Sequence, residues 1–212
     1  MRNLAKALAA TAAVATLAFA GTASAAVNLI TNGGFVGPNP NGSFVTVGVS
    51  SGVIPGWDVL EGNVDWIQGY WPGSDGDGHS IDLNGTTQGK IGQSIVTEIG
   101  KYYTIKFDMN ANPDFGTGTR VAIIGANGDL GNRTFEATSP TAGPWSPRQI
   151  SFVADSTSTQ ITFASGTNTN CCFGAAIDNV SVAVPEPGTW ALMIMGFGGA
   201  GAMLRRRRLV AA

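Results

Sequence analysis

Three aromatic rings, Trp66, Tyr70 and Trp71, are interleaved with Asp65, Gln68 and Gly69 and lead into a glycine-rich stretch, Gly73 to Gly78. That mixture suits a sugar, whose ring offers apolar C–H faces to aromatic planes and a rim of hydroxyls to a few polar groups. Trp71, followed by Pro72, is the ring expected to be exposed, with Tyr70 next. Trp57 and Trp66 stand in strand-like contexts, where core packing competes with ligand contact. Asp75-Gly76-Asp77-Gly78 has the short, oxygen-rich spacing of a calcium loop, but the acidic residue that closes an EF-hand is absent. His79 is the only histidine. A hydrolase triad needs a nucleophile oriented by histidine and an acid, whereas a lone histidine beside a flexible loop is ordinarily solvated or structural. Glycoside hydrolysis needs only two carboxylates set a short distance apart. Asp58, Glu61, Asp65 and Asp82 could supply a pair, yet nothing in the sequence brings two of them together. The expectation is a binding protein and not an enzyme. The two cysteines, Cys171 and Cys172, are adjacent and too few for a metal cluster. In an oxidising compartment they can form a vicinal disulfide stiffening Asn168 to Gly174; free thiols or an intermolecular bridge are the alternatives.

The elements that must hold these residues are strands. Tyr103, Ile105, Phe107 and Met109 alternate with Thr104, Lys106 and Asp108 at period two, the pattern of a strand with one buried face. Ile150 and Phe152, Ile161 and Phe163, and Ile177 through Val184 mark three more. Shorter candidates are Val27–Ile30, Trp57–Leu60, Ser80–Leu83, Gly92–Val96 and Val121–Ile124. Turn-rich stretches at 37–42, 73–78, 110–118 and 139–147 separate them. Short strands with no helical pattern between them predict antiparallel sheets packed as a sandwich.

The two ends read as addresses. Met1 to Lys6 is basic, Ala7 to Ala20 is apolar, and Ala23-Ser24-Ala25 offers a small-x-small cleavage site, so residues 1–25 read as a signal peptide, helical before removal. At the other end an apolar, glycine-rich run from Trp190 to Leu204 precedes Arg205, Arg206, Arg207 and Arg208. The run is shorter than the roughly 20 residues of a comfortable span, and positive charge after it stays cytoplasmic. Without these two segments, 6 basic and 13 acidic residues remain, a net −7 in place of −2. Such a surface disfavours nucleic acid, which needs clustered lysine and arginine to displace counterions.

Pro185-Glu186-Pro187-Gly188-Thr189-Trp190-Ala191, the apolar run and the arginine cluster resemble the PEP-CTERM sorting signal in its Trp-Ala variant. The resemblance implies a Gram-negative host, an exosortase-type membrane protease as partner, a short transmembrane helix that anchors the chain transiently in the membrane, and a cell-surface or extracellular-matrix destination associated with biofilm. The body, 26–184, is long enough for one domain with a real core. Its stretches Asn28 to Phe35, Ile54-Pro55-Gly56-Trp57, Ser80 to Gly85 and Cys171 to Val180 resemble, in that order, the choice-of-anchor C family and related plant cell-wall domains. That resemblance implies a galactose-binding-like, antiparallel jelly-roll β-sandwich with extracellular polysaccharide as partner. It also implies a structural calcium near Asp178, although Val36 stands where the family carries the facing acid.

Overall fold

The computed structural model describes residues 26–38, 43–114, 117–128, 131–141, 143–167 and 172–185. The expected signal segment 1–25, Cys171 and the sorting segment beyond Pro185 (Glu186, Pro187, Trp190, Ala191 and Arg205 to Arg208), with the helices expected of both ends, lie outside these residues.

Ten strands and no helix form among the described residues: β1 (Ser43–Ile54), β2 (Trp57–Gln68), β3 (His79–Asp82), β4 (Lys90–Val96), β5 (Tyr102–Ala111), β6 (Thr117–Gly128), β7 (Gly131–Thr141), β8 (Ser146–Val153), β9 (Ser158–Ser165) and β10 (Ala175–Ala183). Every ladder between them is antiparallel. The order is β7-β6-β9-β4-β2-β3-β10-β5-β8, with β1 paired to β2. This is the expected jelly-roll sandwich, and it is closed by one strand that serves both layers. The first half of β2 pairs with β4 through Asp58, Val59 and Glu61, and its second half pairs with β3 through Asp65 to Gln68. Between the halves sits Gly62 at φ +56°, where a Cβ would lie 1.9 Å from the Gln88 carbonyl oxygen. A strand that changes layers needs such a corner, and only glycine fits here. Phe107 of β5 and Phe163 of β9 are far apart along the strand order, yet their rings meet edge to face at 5.2 Å. That contact carries the core across the two layers.

Three expectations about elements change. Val27–Ile30 is not a strand, although Leu29 N–H donates to Val182 O at 2.8 Å and Asn28 Oδ1 accepts from Val182 N–H at 3.0 Å. β1 and β7 are additional strands. β1 is exposed at nearly every position, so it shows no alternation of apolar and polar residues.

Alternation within the β1-β2-β3-β10-β5 layer decides what faces where. Register partners Trp66, Ile81, Ile177 and Met109 form an inward row, all buried. Trp66 is therefore core, its indole N–H donating to Phe35 O at 2.7 Å. The expectation that it contacts ligand is corrected: its strand parity turns it away from solvent. The adjacent row, Thr46, Asp65, Asp82, Ala176 and Asn110, faces outward. Yet Asp82 and Ala176 on that outward face are inaccessible too, at 0% and 1% exposure. Loops roof this face of the sheet.

Candidate functional site

The roof is built from short-range chemistry. The loop between β2 and β3 is pinched at its neck, where Gly69 N–H donates to Gly78 O at 2.7 Å. Within it Asp75 Oδ1 accepts from Asp77 N–H and Asp77 Oδ1 accepts from His79 N–H, two bonds in which aspartate side chains hold the turn. Trp71, expected to be the more exposed ring, is half-buried, because it reaches down to β3 and donates its indole N–H to Ser80 Oγ at 2.9 Å; Tyr70 is the exposed one. The segment after β5 is held from below. Asp82 accepts from Asn112 Nδ2 at 2.6 Å, from Asn84 N–H at 2.8 Å and from Gly174 N–H at 3.0 Å. One buried carboxyl thus joins three loops to the sheet. Burial pushes its pKa up to about 7, the three donors oppose that rise, and the neighbouring Asp65 adds to it.

Between these loops and β1 lies a cavity of about 250 Å3. Ile67, buried on the outward face, lies beneath it, and Phe44, Tyr70, Trp71 and Phe173 supply aromatic walls. The Phe44 and Tyr70 rings meet edge to face at 5.2 Å, and Tyr70 and Trp71 lie 5.5 Å apart, tilted. Such contacts preset ring orientation before any ligand arrives. Asp65, Thr46, Thr86, Asn112 and Asp114 supply the polar part. Burial raises the Asp65 pKa, opposed by Thr46 Oγ1, which donates to Asp65 Oδ1 at 2.6 Å. The Asp114 carboxylate, through hydrogen bonding first and its charge next, raises the Tyr70 phenol pKa. Among the described residues, no lysine, arginine or histidine lines this cavity.

Tyr70 and Trp71 therefore stand together at a cavity, whereas Trp66 is on the opposite side of the sheet. Phe44, Asp114 and Phe173 join them from three distant segments. Only their fold brings them together; in sequence Phe44 lies within an unpatterned stretch.

A second cluster lies beside the first. Ligand-type oxygens of Asp75, Asp77 and Asp178 come within 4.8 Å of one another. Asp178 is 1% exposed, and its Oδ2 accepts from Ser74 N–H at 2.7 Å. Burial first, and the charge of Asp77 last, push its pKa up to about 6. The acid facing Asp178 comes from the Asp-Gly-Asp loop and not from the segment at Val36. Three carboxylates are the right donors for a hard cation such as calcium. Several of their oxygens already accept from the loop, so a cation would share them.

Catalytic arrangements find less support. His79 Nδ1 lies 3.1 Å from Asp77 Oδ2 within the loop. Asp82, beside Asp65 in register, is wholly inaccessible. A Gly-x-Ser-x-Gly spacing occurs at Gly48 to Gly52, but it lies inside β1 and not at the strand-to-helix turn of a nucleophile elbow. Cys172 is disulfide-bonded, and the only other cysteine in the sequence is Cys171.

Comparison with known proteins adds family and fold. A family model described as a protein of unknown function, DUF642, matches residues 28–183. A PEP-CTERM protein-sorting motif matches residues 183–208. Halomucin of Haloquadratum walsbyi is 34% identical over 176 residues, 78% of this chain, but this chain spans only 2% of that protein. Among solved structures, the arabinose-bound α-L-arabinofuranosidase MgGH51 aligns with TM-score 0.51 and 13% identity over 74% of this chain and 26% of its own. TmCBM61 in complex with beta-1,4-galactotriose aligns with TM-score 0.46 and 13% identity over 75% of this chain and 99% of its own.

Proposed function

Because this chain belongs to the DUF642 family, whose function is not established, we propose its activity from the site: a non-catalytic module that binds a neutral extracellular polysaccharide in the Tyr70–Trp71 cavity. The observation that carries this reading is the pairing of the exposed Tyr70 ring and the half-buried Trp71 ring, packed on each other, with Asp65, Thr86 and Asp114 around one cavity that no basic side chain lines among the described residues. Ring planes take the C–H face of a sugar. Carboxylates and the threonine hydroxyl take its hydroxyls. Acidic walls within an acidic domain disfavour uronate or sulfated chains by like-charge repulsion.

The sorting motif gives the setting, that of an exported cell-surface protein. We assign processing to an exosortase-type membrane protease in a Gram-negative host, with passing attachment to the membrane through the tail. Asp82 is sealed from the cavity, so the carboxyls that share it are Asp65 and Asp114, which this reading assigns to holding sugar hydroxyls. A structural calcium would sit at Asp75, Asp77 and Asp178, tying β10 to the β2–β3 loop.

The test is retention of the purified protein on its host's exopolysaccharide, with and without calcium. Saturable retention that Tyr70→Ala and Trp71→Ala each weaken about tenfold is expected, the loss of one ring contact and its bonds. Unchanged retention in both variants would reject the cavity as the binding site.

A further inference from the structure

Trp71 has a second face. Beyond it, over the same side of the sheet, lies another cavity of about 210 Å3, lined by Trp71, Pro72, Asn110, Pro113 and Trp145. Trp71 is the shared wall between the two. Each cavity is smaller than the roughly 300–1,000 Å3 typical of small-molecule sites, whereas the pair together falls inside that range.

The second cavity is chemically unlike the first. Its polar groups are spent on holding the loops. Asn110 grips Gly143, with Nδ2 donating to Gly143 O at 2.7 Å and Oδ1 accepting from Gly143 N–H at 3.1 Å. Trp145 donates its indole N–H to Pro72 O at 3.2 Å. What remains toward the cavity is ring and proline surface, suited to a C–H face and not to reading hydroxyls. The Trp145–Pro72 bond fixes the loop before β8 to the β2–β3 loop, and the two Asn110–Gly143 bonds fix it to β5, so the ring of Trp145 is positioned without ligand.

We propose that the two cavities are consecutive subsites for a glycan chain running across Trp71, with sugar identity read in the Asp65–Asp114 cavity and a neighbouring unit stacked at Trp145. This rests on the glycan reading above and adds to it that the ligand is a chain of two or more units.

The experiment is calorimetric titration of the purified protein with β-1,4-galacto-oligosaccharides of one to four units, and with neutral host exopolysaccharide fragments of the same lengths. Affinity is expected to rise roughly three- to tenfold once the ligand is long enough to reach the second cavity, the scale of one added aromatic contact. Trp145→Ala should remove that rise and leave the shortest bound ligand unaffected, while Trp145→Phe restores part of it. Thermal unfolding of each variant separates a lost subsite from a lost fold. Equal affinity at every length, or a Trp145→Ala effect equal at every length, overturns the two-subsite proposal while glycan binding stands. No binding at any length of either series overturns both.

Discussion

Raising the pH should destabilise this domain through Asp82. Its folded pKa is about 7 against an ordinary 3.8, a difference of about 3 units, and each unit corresponds to about 1.4 kcal/mol. The sign follows from proton counts. Below pH 3.8 both folded and unfolded states hold the proton, and the group contributes nothing. Between there and about pH 7 the unfolded chain releases it while the folded domain keeps it, so stability falls as pH rises. Above pH 7 the loss is complete, at most about 4 kcal/mol, a large share of the roughly 5–15 kcal/mol typical of a domain. Urea unfolding of the purified protein from pH 4.5 to 8.5 measures it. Asp82→Asn isolates it, because the amide cannot ionise. Asparagine offers one acceptor and would point its own N–H toward Asn112 Nδ2, and Asn112 cannot simply rotate because its Oδ1 already accepts from Asp114 N–H at 2.8 Å. The variant should therefore be less stable at pH 5, by about 1–3 kcal/mol, and should lose most of the wild-type pH slope. A wild-type stability that is flat or rising between pH 5 and 8, or an unchanged slope in the variant, refutes the reasoning.

Trp66→Ala should cost about 3–5 kcal/mol by emptying a core position, whereas Trp71→Ala should cost only about 1–2 kcal/mol, by stranding Ser80 Oγ; denaturant titration of both separates core from site. Gln93 donates to Thr31 O and Gly56 O and accepts from Thr31 N–H, so Gln93→Ala should cost about 1–3 kcal/mol by stranding those groups, read in the same assay. Calcium should raise the melting temperature at pH 7.5 and not at pH 5, because Asp178, with a pKa of about 6, must ionise to coordinate it. Asp178→Asn should abolish that rise, and a calorimetric titration without heat at pH 7.5 would remove calcium from the account.

How much was legible depended on whether a residue's role is local. Tyr103 to Met109 alternate because one side of β5 meets the core, and that side is visible in seven residues. β1 pairs only with β2, at the margin of the sheet, and most of its side chains meet water, so the burial that writes a pattern is missing. Ser80-Ile81-Asp82 reads as a strand with a wet polar side; the sealing of Asp82 depends on Asn84, Asn112 and Gly174, and the last two lie 30 and 92 positions away. Tyr70 and Trp71 were legible as neighbours of a loop, but Phe44, Asp114 and Trp145 reach the same face only through the topology. The acidic pair Asp75 and Asp77 and the distant Asp178 were each visible, but their convergence was not.

The place of β10 in the sheet has a consequence for how the chain acquires its fold. It is the last of the ten strands in sequence, yet it lies between β3 and β5 and hydrogen-bonds to both. Until residues 175–183 are available, β3 and β5 each present an open edge, and the sheet cannot close by local pairing. Closure spans more than ninety residues from Ile81 to Ile177, a loop whose entropy must be spent before the contacts reward it. A chain leaving the ribosome, or crossing a membrane N-terminus first, therefore stays incompletely folded until its final strand has followed. This delay leaves two adhesive edges exposed in the interval. Folding should then be slow and cooperative, with protection of β3, β5 and β10 amides from hydrogen exchange appearing together and late.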